Sequence, residues 1–429
     1  MQSSISGTSQ GGPAVGVCPV VQGFNPIDAE ASQEDLLVGW RRARAEAPVF
    51  YVPEHGYWCV GTYDLMEEVL RDPQTFSNAA MGEVGVPVPP EYRDDLPEGW
   101  PVEQTLTSMD PPEHTRVRRL AQPAFTKRVA VARSEDIRRV CNELIDEFVA
   151  LGEVDLAAEY TRRIPLRIVP PILGVPEQDA EQLYTWAMEA LLLTNNDAAM
   201  SEDFVRRIGA SQAAYARYAQ ELIDERRRHP RGENDMLTRI IFAESEGDAA
   251  LSQSEVLGIV LGILIAGIDT TATAMGNALH ALLVEPDRWA RVVADHDLID
   301  TAAEEGLRMR PPFNAIHRLT TRDCEIGGVS IPRGAIVQLS VLSGGRDPEK
   351  FDDPDRFVLD RPNADRHFAF GKLTHFCLGS PLARVEMRIG IETLADRIPG
   401  LRLSRRGELH YMPSTMMRVL LDGLLAEWN

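Results

Sequence analysis

One cysteine, Cys377, has neighbours that could turn its sulfur into a metal ligand. The aromatic, glycine-bearing segment His-Phe-Ala-Phe-Gly-Lys-Leu-Thr-His-Phe precedes it, and a helical run from Leu382 to Leu394 follows it. Pro381 suits the first turn of that helix, where its missing N–H costs no hydrogen bond. Cys377 should therefore face the free N–H groups of the helix start, which favour a thiolate. A thiolate in an apolar loop is a soft, strongly donating ligand for iron. The alternative is a buried structural cysteine after a turn.

A second group that could do chemistry lies inside a long apolar stretch, in the sequence Ala-Gly-Ile-Asp-Thr-Thr at 266–271. Gly, Asp and Thr are poor choices inside a helix because each weakens the helix or competes for its hydrogen bonds. Small residues would let a flat cofactor approach the backbone, and a locally opened helix would leave a groove for dioxygen. Thr270 could then hydrogen-bond the bound oxygen while Asp269 relays protons to it. The alternative is a close helix crossing at Gly267, with Asp269 satisfied locally.

The element that must carry Asp269 and Thr270 is a single long helix. Ser252 and Glu255 form a capping box, and a helical pattern continues from there to Glu285, where Pro286 stops it. At about 1.5 Å per residue, this helix would be roughly 50 Å long. It is apolar on nearly all sides, which predicts a central, buried position.

Two further charged pairs have helical spacing. His114 and Arg118 are four residues apart behind an acidic, proline-containing helix start, so they share one face. That face could hold an anion or could simply be solvated. Glu305 and Arg308 are three residues apart, a spacing that is common on surface helices and has little meaning alone.

Taken together, these segments resemble the cytochrome P-450 haem-thiolate monooxygenases. The ligand-loop residues of that family recur in order in this sequence, as Phe370, Gly371, His375, Cys377 and Gly379. The loop departs from the family pattern at Leu373, where the family usually has a second glycine. The resemblance implies a mainly α-helical fold: a single domain of about a dozen helices with small β-sheets around a buried haem b.

The resemblance also implies roles for individual residues. Cys377 would be the axial ligand of the haem iron, Asp269 and Thr270 the catalytic acid–alcohol pair, and basic side chains would hold the haem propionates. The expected cofactor contacts are His114, Arg118, Ala266, Gly267, Arg318, Phe370, His375, Cys377 and Gly379. A buried structural network would join Glu305, Arg308 and Arg356, the last from the segment Pro-Asp-Arg-Phe at 354–357.

The substrate is expected to be a hydrophobic small molecule, because the candidate lining residues Leu264, Ile268, Phe313 and Ile316 are apolar. The resemblance implies, by position in the chain, that three further segments contribute to the pocket: the Pro- and Gly-rich residues 76–108, a lid at 193–197 and a last turn at 413–416, for which a plain loop is the alternative. None of them identifies the substrate.

The implied reaction is dioxygen activation that hydroxylates the substrate or removes an O- or N-alkyl group. NAD(P)H would supply electrons indirectly, through a separate ferredoxin or flavodoxin system, because the 429 residues contain no G-x-G-x-x-G unit and no Cys-rich iron–sulfur segment. A basic patch of Arg116, Arg119, Lys372 and Arg384 could dock that donor. Two rivals stay open: a peroxide-driven peroxygenase and a non-catalytic haem-binding protein.

Composition excludes other classes of function. The net charge of −21 argues against nucleic acid and anionic membrane surfaces as partners. Five scattered cysteines indicate a reducing compartment and no disulfide framework or zinc site. Residues 1–21 do not resemble a signal peptide, and the most apolar window, 256–266, is too short to span a bilayer. We therefore expect a cytoplasmic monomer with a mobile tail at 1–23 and one domain at 24–429.

Overall fold

A computed structural model describes residues 18–26, 28, 31–81, 96, 105–192, 202–232, 235–244, 247–412 and 417–428. Helices make up most of this described part. The α-helices are α1 (Gln33–Glu46), α2 (Tyr63–Arg71), α3 (Glu113–Ala121), α4 (Lys127–Val131), α5 (Ser134–Phe148), α6 (Arg163–Leu173), α7 (Ala180–Leu192), α8 (Glu202–Arg228), α9 (Met236–Ile241), α10 (Gln253–Leu283), α11 (Pro286–Ala294), α12 (Leu298–Met309), α13 (Val341–Gly344) and α14 (Ser380–Arg397).

The strands form small sheets. They are β1 (Val49–Val52), β2 (Tyr57–Val60), β3 (Phe76–Ser77), β4 (Glu153–Asp155), β5 (Ala315–Thr320), β6 (Cys324–Ile326), β7 (Val329–Ile331), β8 (Ile336–Ser340), β9 (Arg402–Leu403), β10 (His410–Tyr411), β11 (Leu420–Asp422) and β12 (Leu425–Glu427). The largest sheet has the order β1-β2-β8-β5-β3, and β4, β12 and β9 form a second sheet. The predicted mainly α fold with small sheets is confirmed.

Helix α10 is the core against which other helices pack. The predicted capping box is present: the Ser252 hydroxyl accepts from the Glu255 N–H, and the Glu255 carboxylate accepts from the Ser252 N–H. Helices α6, α12 and α14 all contact α10. Its length and apolar character would suffice to cross a membrane, but 67% of its most apolar window is buried inside the protein, as in the core helix of a globular domain. The helix ends at Leu283, two residues before the predicted end, and Pro286 begins α11.

The five-stranded sheet places a basic segment in the protein interior. β1 and β2 form an antiparallel hairpin, with Val49 opposite Val60. β2 then pairs parallel to β8, and β8 pairs antiparallel to β5, with Val337 opposite Arg318. β5 lies between β8 and β3 in the sheet, and Arg318 on this strand is only 4% exposed.

The N-terminal boundary of the domain differs from the prediction. Val21 is buried against α1, and the Pro19 carbonyl accepts a hydrogen bond of 2.9 Å from the Tyr51 N–H of β1. Residues 18–23 therefore belong to the domain and not to a tail, because their backbone and apolar side chains already have partners. The rest of the predicted tail lies outside the described residues, as do the lid at 193–197, the turn at 413–416 and most of 82–104.

Candidate active site

The loop that presents Cys377 is shaped by left-handed backbone positions and one closing hydrogen bond. Gly371 has a φ of 65°, and the Cys377 N–H donates to the Phe370 carbonyl at 2.8 Å. Helix α14 begins three residues later at Ser380, with Pro381 in its first turn as predicted. A side chain at Gly379 would lie 3.8 Å from the Cys377 sulfur, so this glycine borders the thiol.

Leu373 occupies a conformation that suits glycine. Its φ is 55°, in the left-handed region where a Cβ collides with the following carbonyl at a cost of about 1–2 kcal/mol. The side chain is 48% exposed, so little packing offsets that cost. The loop thus keeps the backbone shape that a glycine would adopt, and the strain is local to Leu373.

The electrostatics of Cys377 differ from the sequence-based expectation. Desolvation of the sulfur by the surrounding loop raises the pKa of the Cys377 thiol above its ordinary value, although the residue itself is exposed. The N–H groups of Gly379 and Ser380 and the charges of Arg118 and Arg384 act in the opposite direction. The helix start therefore favours the thiolate as predicted, but burial has the larger effect. A bound metal cation would supply the missing stabilisation, because a coordinating thiol is deprotonated outright.

Buried imidazoles converge beside this loop. The ring of His114, on α3, lies 4.0 Å from the ring of His375, centroid to centroid. Both ring nitrogens of His114 and the Nε2 of His375 lack a hydrogen-bond partner among the described residues. Burial lowers the pKa of His114 to about 4 and that of His375 to about 3, so both are neutral near pH 7.

Two guanidinium groups complete this polar region. Arg318 is buried, which lowers its pKa to about 10, and its Nη1 donates to the His317 carbonyl at 2.7 Å. Arg118 donates from Nη2 to the Phe376 carbonyl at 2.6 Å, and burial lowers its pKa as well. Buried cations and orphaned imidazole nitrogens are costly without an anion or acceptor. Haem propionates would supply carboxylates at this place, so the residues present fit haem.

On α10, Asp269 is buried and hydrogen-bonded. It is 2% exposed, and the hydroxyl of Tyr184, from α7, donates to its Oδ1 at 2.9 Å. Burial raises the pKa of Asp269 to about 6, although the Tyr184 hydrogen bond and the charge of Arg162 act to lower it. An acid of this pKa can both take up and release protons near neutrality. No spacing in the sequence pointed to Tyr184 or Arg162, which are distant in the chain.

The helix around Thr270 is continuous, which corrects the expected local opening. The Thr270 hydroxyl donates to the Ala266 carbonyl at 2.5 Å, within an unbroken α10. Gly267 also has a different use from the predicted cofactor contact: a Cβ there would lie 3.1 Å from the Val169 side chain of α6. Its small size serves the α6–α10 crossing. Ala266 is exposed and Thr270 half-buried, so these two share the open face of the helix.

Two of the predicted substrate contacts are corrected. Leu264 belongs to the main core, and Ile268 packs with Leu166 and Val169 of α6; each is 1% exposed. Both are two positions from Ala266, and at about 100° per residue they lie on the opposite side of α10.

A separate apolar cluster includes Phe313, another of the predicted substrate contacts. Phe313 packs against a small cluster of Met417 and Val419, as do Ile265 of α10 and Met188 of α7, and it forms an isolated β-bridge with Met417. Ile316 is half-buried against the apolar core of the five-stranded sheet. Phe313 therefore remains a candidate lining residue, and Ile265, Met188 and Met417 join it.

A buried ion network links α12 to the chain segment before the ligand loop, and one of its residues differs from the prediction. Glu305 accepts from Arg308 at 2.7 and 2.8 Å, and both are fully buried. The second cation is Arg361, whose Nε lies 2.9 Å from Glu305 Oε1, and not the predicted Arg356. The Arg356 side chain is exposed, and only its carbonyl takes part, accepting from Arg308 and Arg361. Gly345 packs against this network, since a Cβ there would lie 2.5 Å from the Arg308 carbonyl oxygen.

The neighbouring Glu304 joins α12 directly to the loop. It accepts from Arg384 of α14 at 2.6 and 3.1 Å and contacts Nε2 of His367 at 3.1 Å. Burial alone would raise its pKa, but these partners hold the pKa of Glu304 at about 2. Adjacent glutamates thus have separate tasks, and sequence spacing did not reveal the task of Glu304.

The four cations of the predicted basic patch all have carboxylate partners within the chain. Arg116 pairs with Glu255, Arg119 with Asp248, Lys372 with Glu67 and Arg384 with Glu304. The patch is therefore closer to neutral than the sequence indicated. Arg119 is the most accessible of the four, with 54% of its side chain exposed.

Comparison with known proteins agrees with this site. Residues 182–397 match the family model for cytochrome P450. The mycinamicin IV hydroxylase/epoxidase of Micromonospora griseorubida is 33% identical over 365 residues, which cover 84% of this chain and 85% of the relative. The cytochrome P450 monooxygenase PikC of Streptomyces venezuelae is 33% identical over 392 residues, covering 89% of this chain and 88% of the relative.

Solved structures give the same answer for the fold. An intact type IV self-sufficient cytochrome P450 monooxygenase superposes with a TM-score of 0.87 at 30% identity, covering 95% of this chain and 53% of that longer chain. The P450BioI component of a complex with an acyl-loaded carrier protein superposes with a TM-score of 0.81 at 28% identity, covering 92% and 98%. Together with the ligand loop and the relatives above, these matches show that this chain belongs to the cytochrome P450 family of haem b monooxygenases that use dioxygen.

Proposed function

We propose that this protein hydroxylates a hydrophobic small molecule or removes an O- or N-alkyl group from it, and that Cys377 would hold the haem iron. The observation that carries the proposal is the convergence of orphaned polar groups at the Cys377 loop. His114 and Arg318 are buried there and His375 is half-buried; both ring nitrogens of His114 and Nε2 of His375 lack a hydrogen-bond partner among the described residues, and Arg318 donates to the His317 carbonyl. A propionate-bearing cofactor satisfies all three, whereas an empty structural loop would leave them at a cost.

Each residue of the site has a distinct task in this proposal. Cys377 binds the iron as thiolate, and His114, Arg118 and Arg318 hold the propionates by charge-assisted hydrogen bonds. Phe370 stacks under Arg384, whose guanidinium carbon lies 4.4 Å from the ring centroid, and so keeps the loop closed. Haem, when bound, supplies the activation of dioxygen and the oxidation of the substrate.

Proton delivery is assigned to Asp269 and Thr270. The Thr270 proton is engaged by the Ala266 carbonyl, so the lone pairs of its Oγ face the open side of α10 and can accept a hydrogen bond. Asp269 has a pKa of about 6 and can replace a proton passed on from that face. The presence of both groups favours dioxygen over peroxide as oxidant, because proton delivery is needed when dioxygen is reduced.

The substrate is proposed to contact the apolar group around Phe313. Phe313, Ile265 and Met188 pack against the same small apolar cluster, whose buried members are Met417 and Val419. Methionine side chains adapt to irregular shapes, which suits a bulky apolar ligand. This supports a hydrophobic substrate without naming its class.

The test is the absorption difference spectrum of the dithionite-reduced, haem-loaded protein with and without carbon monoxide. We expect a strongly red-shifted Soret band, which reports a thiolate ligand, and we expect Cys377→Ser to lose it. Cys324→Ser, at the partly buried cysteine of β6, is the matched control and should keep it. A band at the position of histidine- or thiol-ligated haem in the parent protein would contradict the assignment of Cys377, and failure to bind haem would overturn the whole proposal.

A further inference from the structure

The partner of Asp269 comes from a different helix. Tyr184 lies on α7, and its hydroxyl donates to Asp269 Oδ1 at 2.9 Å across the contact between α7 and α10. The carboxylate is 2% exposed, so this hydrogen bond forms in an environment that water does not screen. A hydrogen bond to a buried carboxylate restricts its rotamer and stabilises its charged form.

Apolar packing fixes the ring that carries this hydroxyl. Tyr184 contacts a cluster made of Leu166 and Val169 of α6, Ala180 of its own helix and Ile268 of α10. These apolar side chains hold the ring in place, and the hydroxyl donates to Asp269. Burial accordingly raises the pKa of Tyr184 above its ordinary value, and the nearby Asp269 charge adds to this. The phenol therefore stays protonated and acts as a donor.

One cation completes the surroundings of Asp269. Arg162, directly before α6, is close enough to lower the pKa of both Asp269 and Tyr184, and its side chain is partly exposed. The groups that face the carboxylate are thus Tyr184 from α7, Arg162 from the start of α6 and apolar residues from both helices. Both polar groups stabilise the ionised acid against its burial.

Helix geometry separates this arrangement from the open face of α10. Asp269 and Thr270 are consecutive, so their side chains leave the helix about 100° apart. Tyr184 holds Asp269 on the side of α7, whereas Ala266 and Thr270 share the accessible face. To pass a proton to Thr270, the Asp269 carboxylate must lie between the α7 side and the accessible face of α10.

From this arrangement we infer that Tyr184, assisted by Arg162, is the positioning residue of the proton-delivering acid: it fixes the orientation of Asp269 and keeps the carboxylate ionised in the resting protein. The inference deepens the proposed function and rests on its assignment of Asp269 to proton transfer. Without the Tyr184 hydroxyl, this hydrogen bond no longer opposes the effect of burial on the pKa of Asp269. The acid then becomes protonated at higher pH and loses its preferred rotamer.

The experiment is infrared titration of the haem-loaded protein, with Asp269→Asn used to identify the carboxyl band of Asp269. In the parent protein we expect a midpoint near the pKa of about 6. Tyr184→Phe keeps the ring and its packing, and we expect the midpoint to rise by about one pH unit, the size of effect that one charge-stabilising hydrogen bond has. At pH 7 the variant then carries more protonated acid than the parent protein.

Tyr218→Phe is the matched control. The Tyr218 hydroxyl donates to Asp179 at 2.6 Å, so the substitution breaks the same type of pair away from Asp269 and should leave the midpoint unchanged. A second readout is the share of reducing equivalents released as hydrogen peroxide, which should rise in Tyr184→Phe at unchanged substrate KM.

An unchanged Asp269 midpoint in Tyr184→Phe would overturn the inference, as would an equal shift in the Tyr218 control. Arg162→Gln provides an independent check, since it should shift the midpoint in the same direction as Tyr184→Phe. Because the infrared band reports Asp269 directly, this outcome is independent of the carbon monoxide spectrum. A red-shifted Soret band with no midpoint shift rejects only the role of Tyr184, while loss of the Soret band rejects the proposed function.

Discussion

At the scale of single residues, the site depends on a few side chains held in unfavourable surroundings. Leu373 has a left-handed backbone, Asp269 is a buried acid, and His114 is a buried imidazole without a hydrogen-bond partner among the described residues. Strained or desolvated groups of this kind persist where the surrounding structure holds them, and they concentrate at functional sites. Leu373 is the exception among these three, because its exposed side chain has no task in the proposed chemistry.

We predict that Leu373→Asn stabilises the holoprotein by about 0.5–1 kcal/mol, because asparagine tolerates positive φ far better than leucine. Chemical denaturation followed by circular dichroism measures the change. Leu373→Val is the control and should destabilise the protein, since a β-branched residue at positive φ is a genuine outlier. A loss of stability in Leu373→Asn would mean that the leucine side chain makes a contact worth more than its strain.

At the scale of elements, close helix crossings decide where the site residues lie. Gly267 allows α10 to approach α6, and Gly306 allows α12 to approach α10. A Cβ at Gly306 would lie 2.8 Å from the Ala278 Cβ and 2.9 Å from the Ala278 Cα. Through this crossing, α12 presents Glu304 to the ligand loop and Glu305 to its own network. The distance between α10 and α12 therefore affects the position of the residues that hold the Cys377 loop.

We predict opposite effects for two glycine-to-alanine substitutions in helices. Gly306→Ala should destabilise the protein by about 1–3 kcal/mol, because the new methyl group meets a backbone that cannot easily move. Gly262→Ala, in α10, should stabilise it by about 1 kcal/mol, because a Cβ there meets nothing within 4 Å and alanine is the better helix former. Thermal unfolding of both variants measures the difference. Equal stabilisation by both would show that α12 can shift away from α10 at no cost.

At the scale of the whole molecule, charge distribution governs how an electron donor approaches. The chain carries a net charge of −21, yet the predicted docking patch is close to neutral because each of its cations is paired. A less negative region on an acidic protein still guides an acidic partner, since the remaining surface repels it. We propose on this basis that a separate ferredoxin or flavodoxin docks beside the Cys377 loop.

We predict that Arg119→Glu raises the KM for an acidic ferredoxin several-fold at low salt, and that the effect shrinks as ionic strength rises. NAD(P)H consumption in a reconstituted system with a ferredoxin and its reductase measures it. Arg406→Glu is the matched control: this exposed arginine pairs with Glu153 of the β4-β12-β9 sheet and should have little effect. Equal KM changes in the two variants would show that net charge alone, and not the patch, controls docking.

Features that depend on neighbours along the chain could be predicted from residue types and their spacing. The capping box at Ser252, the helix start at Pro381 and the candidate iron ligand Cys377 all follow from local residue types and spacing. Such features need only the hydrogen bonds and backbone angles of a few consecutive residues, whereas the fold class was predicted from the resemblance to the cytochrome P-450 family.

Which side chains meet was set by the tertiary structure. It chose Arg361 over Arg356 for the Glu305 network and turned Leu264 and Ile268 into the core, because a helix that is apolar all round does not encode which face meets which neighbour. It also supplied Tyr184 as the partner of Asp269, from a helix 85 residues away in the chain. The pKa values followed the same rule, since burial is the largest influence on Cys377 and Asp269 and depends on every element packed around them.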